Sequence, residues 1–316
     1  MTAATRGGCA RRCTSTEGWT RNGQPRRAVV GDVNDGEPET PRLVKTPLAD
    51  GGDIAIETVE CRCGTTGWSP PEAVARHGIV FVRRGCFHRR QNGRESFVDP
   101  TVVYFERPDD EQQIAHPAGG DSCTALYLSE SVLGAIWGGE PGLPGQPLAS
   151  RPATDLRQRL LLSALVRGDA ANVAEVAVDL VSEVLERADP RRVASGRPAT
   201  VRTRRRVVAR AREALVEDPR ADVLELARRA AVSPHHLSRI FRAETGETIS
   251  RYRNRLRVRL ALERLAAGEP CLTRLAAELG FADQAHLARV VRGELGATPS
   301  LLRERLASAR SSRSRG

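Results

Sequence analysis

The stretch Leu226–Ile249, LARRAAVSPHHLSRIFRAETGETI, recurs further along the chain as Leu275–Pro299, LAAELGFADQAHLARVVRGELGATP. With one extra residue in the second copy's turn the two superimpose. Ala227 falls on Ala276, Leu237 on Leu287, Arg239 on Arg289, Arg242 on Arg292, Gly246 on Gly296 and Thr248 on Thr298. Self-similarity at a fixed period marks a repeated supersecondary unit. Each copy has the pattern of a short apolar helix, a tight turn and a second helix. Ser233 and Asp283 stand where an N-cap oxygen can accept from exposed amides. Gly246 and Gly296 follow the second helices, where a left-handed closing residue costs least.

Helical spacing sets Leu237, Ile240 and Phe241 on one face, echoed by Leu287, Val290 and Val291, and predicts these as core. It leaves His235, Ser238, Arg239 and Arg242, with His236 beside them, on or near the open face. The second copy leaves Gln284, His286, Arg289 and Arg292 there. An exposed helix offering Arg, Gln, Ser and His suits a DNA major groove, because these groups bond base edges and phosphates. For the three histidines, plain exposure is an equal alternative. Arg239 and Arg289 are expected to contact bases, Arg242 and Arg292 phosphates. Between the copies, helix over 249–267 would be ~28 Å long at 1.5 Å per residue. Such a connector holds two reading helices about one DNA turn, ~34 Å, apart. Its arginines between Arg251 and Arg259 are expected to neutralise phosphates or cover the connector.

Charge agrees with this placement. From Val201 to Gly316 there are 25 arginines against 13 acidic residues, a net of +12, within a chain whose total is +10. The excess positive charge thus belongs to the last third, and such asymmetry points to a polyanionic partner. Lys45 is the sole lysine, so the basic residues are almost all arginine, as a GC-rich genome encodes. At 316 residues, 40% hydrophobic and 28% charged, the chain can bury two cores. Nothing approaches the ~20 apolar residues of a membrane span, and no secretory signal opens the sequence. A soluble, cytoplasmic protein with reduced thiols is expected.

Residues 1–48 lack any period and are expected to be a disordered arm. From Asp53 to Ser129 short β-type segments alternate with turns: DIAIETVECRC (53–63), HGIVFVRRGCFHRR (77–90), SFVDPTVVYFERP (96–108) and DSCTALYLS (121–129). Spacing of this kind predicts a small barrel or sandwich. A Gly/Pro-rich stretch follows at 138–152, then helical patterns over 155–166 and 170–188, and a segment of linker composition. The domain expectations are a β-rich domain over 49–150, helices over 151–190, a linker over 191–202, an all-α domain over 203–307 and a basic disordered tail over 308–316.

The segments VSPHHLSRIFRAETGETISRY, RVRLALERL and GFADQAHLARVVRGELGATPSLLR resemble the AraC/XylS family of bacterial transcription regulators, over about Arg205 to Arg305. Leu287 and Val291 stand where that family more often has Phe. FVRRGCFHRR, DPTVVYFERPDDEQQIAHP and GGDSCTALYL resemble the family's cupin-like sensory barrels. The resemblance implies an α+β two-domain architecture: an N-terminal cupin-like barrel and a C-terminal all-α domain of two helix-turn-helix units joined by a long helix. It implies a nucleoid-associated regulator that binds double-stranded promoter DNA, with RNA polymerase as a further candidate partner. A small effector would bind in the barrel, and a homodimer would form through the helices of 151–190.

The alternative is a cupin-type enzyme or a metal- or thiol-sensing regulator using Cys86, His116 and Cys123, with Cys61 and Cys63 able to converge on them. The plain reading makes Cys86 and Cys123 small core residues and His116 a loop residue before Pro117. His77, His88 and His116 do not form the His-x-His, Glu and later His set of a metal-binding cupin. No Ser-His-Asp order, phosphate loop or dinucleotide fingerprint is visible. No catalytic residue, metal or cofactor is therefore expected.

Overall fold

The computed structural model describes residues 42–62, 67–117, 119–137, 143–168, 173–188 and 198–307. The expected tail, residues 1–41 of the expected arm, Cys63 and the early part of the expected linker lie outside the described residues.

Among the described residues, ten strands build the first domain. Strands β1 (Arg42–Asp50), β2 (Ile54–Arg62), β9 (Ser122–Leu128), β4 (His77–Arg84), β7 (Val102–Glu106) and β10 (Leu148–Ala149) form one antiparallel sheet in that order. Strands β3 (Glu72–Ala73), β8 (Glu111–Ala115), β5 (Phe87–Gln91) and β6 (Arg94–Val98) form the second. Alternation of side chains gives the larger sheet two buried faces. Val80, Val82, Tyr104, Cys123, Ala125 and Tyr127 turn inward with Phe87 and Val98 of the smaller sheet. Ile79, Phe81, Val103, Phe105, Leu126 and Leu128 turn outward. Helices α2 (Pro152–Arg167) and α3 (Val173–Glu186) cover that outer face with Leu161, Leu180, Val181 and Val184. Gln158 of α2 donates from Nε2 to the Thr124 hydroxyl, 2.6 Å away, fixing the helix to β9.

Two elements depart from expectation. Strand β1 starts inside the stretch expected to be a disordered arm. Its backbone pairs with β2 from Arg42 opposite Arg62 to Asp50 opposite Ala55, so it owes its order to a partner rather than to its own pattern. It is an edge strand, and Lys45, Pro47 and a bulge between Pro47 and Ala49 discourage further pairing. Helix α1 (Glu130–Trp137) was not foreseen. Its cap was legible, since the Ser129 hydroxyl accepts from Val132 N at 3.3 Å.

The remaining helices are α4 (Pro198–Glu217), α5 (Val223–Arg229), α6 (Pro234–Thr245), α7 (Ile249–Ala266), α8 (Leu272–Leu279), α9 (Gln284–Leu295) and α10 (Pro299–Ala307). Helix α4 begins within the expected linker. One core joins them, centred on Leu215, Leu237, Phe241, Leu256, Leu275 and Leu287.

The two domains are bolted together by buried charge. Asp99, in the turn between β6 and β7, accepts from Arg212 Nε of α4 at 2.9 Å, from the Tyr252 hydroxyl of α7, and from Thr101. Arg159 of α2 pairs with Asp155 of its own helix and Glu263 of α7. Leu156 and Leu160 of α2 pack against the C-terminal core. The helix expected to serve dimerisation is therefore also a seam between the domains.

Candidate nucleic-acid interface

Both repeated units form as the sequence implies. In the first, α5 turns into α6, and the Ser233 hydroxyl accepts from His236 N at 3.2 Å. In the second, α8 turns into α9, and Asp283 accepts from His286 N at 2.6 Å. Gly246 and Gly296 close α6 and α9 at φ 78° and 70°, each amide bonding back to the Arg242 or Arg292 carbonyl. Leu237, Ile240, Phe241, Leu287 and Val291 are buried as expected, while Val290 is only partly so.

The open faces carry His235, Ser238, Arg239 and Arg242 on α6, and Gln284, Arg289 and Arg292 on α9, all exposed. Two histidines are otherwise engaged. His286 is half-buried, its Nδ1 accepts from Ala282 N at 3.2 Å, and its ring meets Phe281 edge-on at 5.4 Å. Its side chain thus braces its own turn. His236, also half-buried, lies with Nδ1 3.3 Å from Arg239 Nη2. The Gln284 amide oxygen accepts from the Thr273 hydroxyl at 3.1 Å, which places it against α8.

Of the two roles expected for the connector arginines, three of them take the one within the protein and not the contact with phosphates. Arg251 is exposed, but Arg255 bonds Glu247 at 2.6 Å and the Ser150 carbonyl. Arg259 is 0% exposed, and bonds the Ser150 and Arg255 carbonyls. Arg257 donates twice to the Pro219 carbonyl, at 3.0 and 2.8 Å. Burial pushes Arg257 and Arg259 down to about 10. These side chains seat α7 in the protein instead of presenting it to phosphates. Sequence could not reveal this, because a long arginine row on a helix looks the same whether the covering surface is water or another domain.

Of the candidate sensor residues, the structure brings two together and sets one apart. His116 Nε2 lies 2.6 Å from Asp121 Oδ1, and the Cys123 thiol donates to Asp121 Oδ2 at 2.9 Å. Cys86 packs instead with Phe97 and the C-terminal helices. Asp121 was missed; its position at the mouth of β9, within five residues of His116, was the available signal. Cys61 approaches His116 Nδ1 at 4.0 Å, and Cys61, His116 and Asp121 hold ligand-type atoms within 4.8 Å of one another. Cys61 is disulfide-bonded, contrary to the expectation of reduced thiols, so its sulfur is not available as the thiolate a metal requires. Burial pushes the Cys86 and Cys123 thiols well up, and neighbouring carboxylates add to it. Protonated, buried thiols are poor nucleophiles and poor ligands. The three residues do not form the shared site considered from sequence.

Residues 226–305 match the family described as a helix-turn-helix domain. The C-terminal domain is a helix-turn-helix domain of the AraC type. Over 57 residues the chain is 42% identical to the HTH-type transcriptional regulator Rv1931c of Mycobacterium tuberculosis, covering 18% of this chain and 22% of that protein. The chain thus matches about a fifth of its curated relative's length. Among solved structures, fatty-acid-bound ToxT of Vibrio cholerae aligns over 82% of this chain and 98% of its own, at 9% identity and a TM-score of 0.35. The EutQ protein of Clostridium difficile aligns over 30% of this chain and 74% of its own, at 12% identity and a TM-score of 0.25. Among the described residues no helix is long and apolar enough to cross a membrane.

Proposed function

We propose that the chain is a sequence-specific, double-stranded-DNA-binding transcription regulator, not an enzyme, controlled by a small effector taken up in its first domain. The observation that carries this reading is the pair of equivalent arginines. Arg239 and Arg289 are exposed at matching places on α6 and α9, two helices held at the ends of one continuous helix, α7. Such a pair suits two successive major grooves on one face of a duplex. Ser238, His235 and Gln284 would share the reading, and Arg242 and Arg292 would grip phosphates. Exposed apolar residues at Val166 and Val176, on α2 and α3, fit association of two copies there. Promoter DNA and, through it, RNA polymerase are the partners this reading implies, in the cytoplasm.

Selection of bound fragments from random DNA, followed by gel shift across a salt series, tests it. Recovery of a two-part motif whose halves lie about one helical turn apart is expected, with affinity falling steeply as salt rises. Binding without sequence preference, or a flat salt response, would overturn it.

A further inference from the structure

The inner face of the first domain carries charge that its own side chains do not neutralise. Arg89 on β5 is 1% exposed. Its Nε donates to Gln112 Oε1 at 3.1 Å and its Nη1 to Gln91 Oε1 at 2.8 Å, both neutral amides. Nη2 has no hydrogen-bond partner among the described residues. Tyr104 lies beneath the guanidinium, 4.7 Å from ring centre to Cζ.

The carboxylates that feel this cation are engaged elsewhere. Asp110 is bonded by Arg107, Asn92 and Gln91. Glu106 accepts from the Tyr127 hydroxyl. Gly78 leaves room for that last contact: it lies between the two, paired with Glu106 on one side and Tyr127 on the other. An added Cβ would stand 3.1 Å from Glu106 Oε2 and 3.2 Å from Tyr127 Cε1. Arg159, Arg212 and Arg264 differ from Arg89 in bonding a carboxylate. Arg257 and Arg259 also bond only neutral oxygens, but these are backbone carbonyls that seat α7. Taking a cation out of water without an anion is costly, and burial is the largest influence on Arg89, pushing it down.

Toward solvent, Glu57 is paired with a cation but leaves one carboxylate oxygen unused. By alternation it shares the inward face of β2 with Ala55 and Val59. Its Oε1 accepts from Arg76 Nη2 at 2.8 Å, while the buried Oε2 has no partner among the described residues. Arg76 covers the Tyr127 ring at 3.6 Å and is 45% exposed at its side chain. The row from Arg76 and Glu57 through Tyr127 and Glu106 to Arg89 therefore runs from solvent into the interior.

We propose that this interior is the effector site, and that it takes a small organic carboxylate bearing a hydroxyl or amino donor. The carboxylate binds Arg89 through Nη2, the charge-assisted bond the guanidinium lacks, and the donor is turned to Glu57. The proposal rests on the effector reading above and gives it a ligand class.

Thermal-shift and calorimetric titration of the full chain tests it, with lactate and 4-hydroxybenzoate as probes and lactamide and 4-hydroxybenzamide as their uncharged counterparts. At least one acid should raise the unfolding midpoint where its amide does not. Arg89→Gln, which removes an uncompensated cation, should hold or raise the ligand-free midpoint and weaken acid binding about tenfold or more. Glu57→Gln should reduce the preference for lactate over propionate. The proposal fails if neither acid binds, if acid and amide bind alike, or if the Arg89 variant responds like the parent. The acid–amide comparison stands on the parent protein alone, so it decides the matter even if the variant does not fold. DNA binding followed in parallel separates the two readings. Acid binding without DNA binding sinks the regulator, and DNA binding without acid binding sinks only this site.

Discussion

Ala231 and Gly280 occupy equivalent places in the two turns, both left-handed, at φ 55° and 77°. For a residue with a Cβ this conformation costs ~1–2 kcal/mol, and glycine's extra freedom when unfolded offsets part of that. Ala231→Gly should therefore change stability little, with a gain of at most about 1 kcal/mol in denaturant unfolding. Gly280→Ala should cost more. Beyond the strained backbone, its Cβ would meet Arg220 Cγ at 2.7 Å and Arg257 Nη2 at 2.8 Å. A loss of about 2 kcal/mol or more is expected from strain plus displaced packing; an unchanged midpoint would contradict the geometry. At the reading face, Arg239→Ala or Arg289→Ala should each cost ~1–3 kcal/mol on the selected site and relax preference at one base position. Uniform weakening across all sequences would assign these arginines to phosphates.

At the scale of the element, the repeat was legible because capping and periodicity are local properties. Ser233 and Asp283 cap as expected, with the side-chain bonds to His236 N and His286 N in place. Replacing Asp283 by Ala should remove about 1 kcal/mol of stability and loosen α9, read as a fall in amide-exchange protection in its first turn. Protection unchanged there would mean that the His286–Phe281 brace alone sets the helix start. Strand β1 and the roles of the α7 arginines were not legible, for one shared reason. Both depend on what lies alongside in space: β2 for the strand, Ser150, Glu247 and Pro219 for the arginines.

For the whole molecule, the bolt at Asp99 sets how the domains meet. Burial raises the Asp99 pKa, but the Arg212 charge and the bonds from Arg212, Thr101 and Tyr252 outweigh it and hold the carboxyl below its usual range. Glu263 is likewise held low against burial, by Arg159 first and then Arg83. A depressed carboxylate pKa contributes stability that is present above the unfolded value, near ~4, and is lost as pH falls through the folded value. The seam should thus stay intact through neutral and mildly acidic pH and open only below about pH 4, read as a new early unfolding transition. Asp99→Ala leaves Arg212 buried without its anion and should cost about 3–5 kcal/mol. Adding Arg212→Met should recover much of that loss, since a buried pair replaced by apolar side chains is often neutral. No recovery in the double variant would show that the seam's stability lies elsewhere.

The sequence by itself determined the two helix-turn-helix units, their caps, their buried faces and the helix between them, because helix period and end chemistry act within a dozen residues. It also indicated the β-rich character of the first domain. Only the tertiary structure decided which charges meet. It placed Asp99 against Arg212 and Tyr252, parted Cys86 from His116 and Cys123, folded α2 onto the DNA-binding domain, and left Arg89 buried among neutral amides. Those outcomes depend on the register of strands and the docking of helices from distant parts of the chain. A long-range electrostatic contact has no signature in the local pattern of either of its partners.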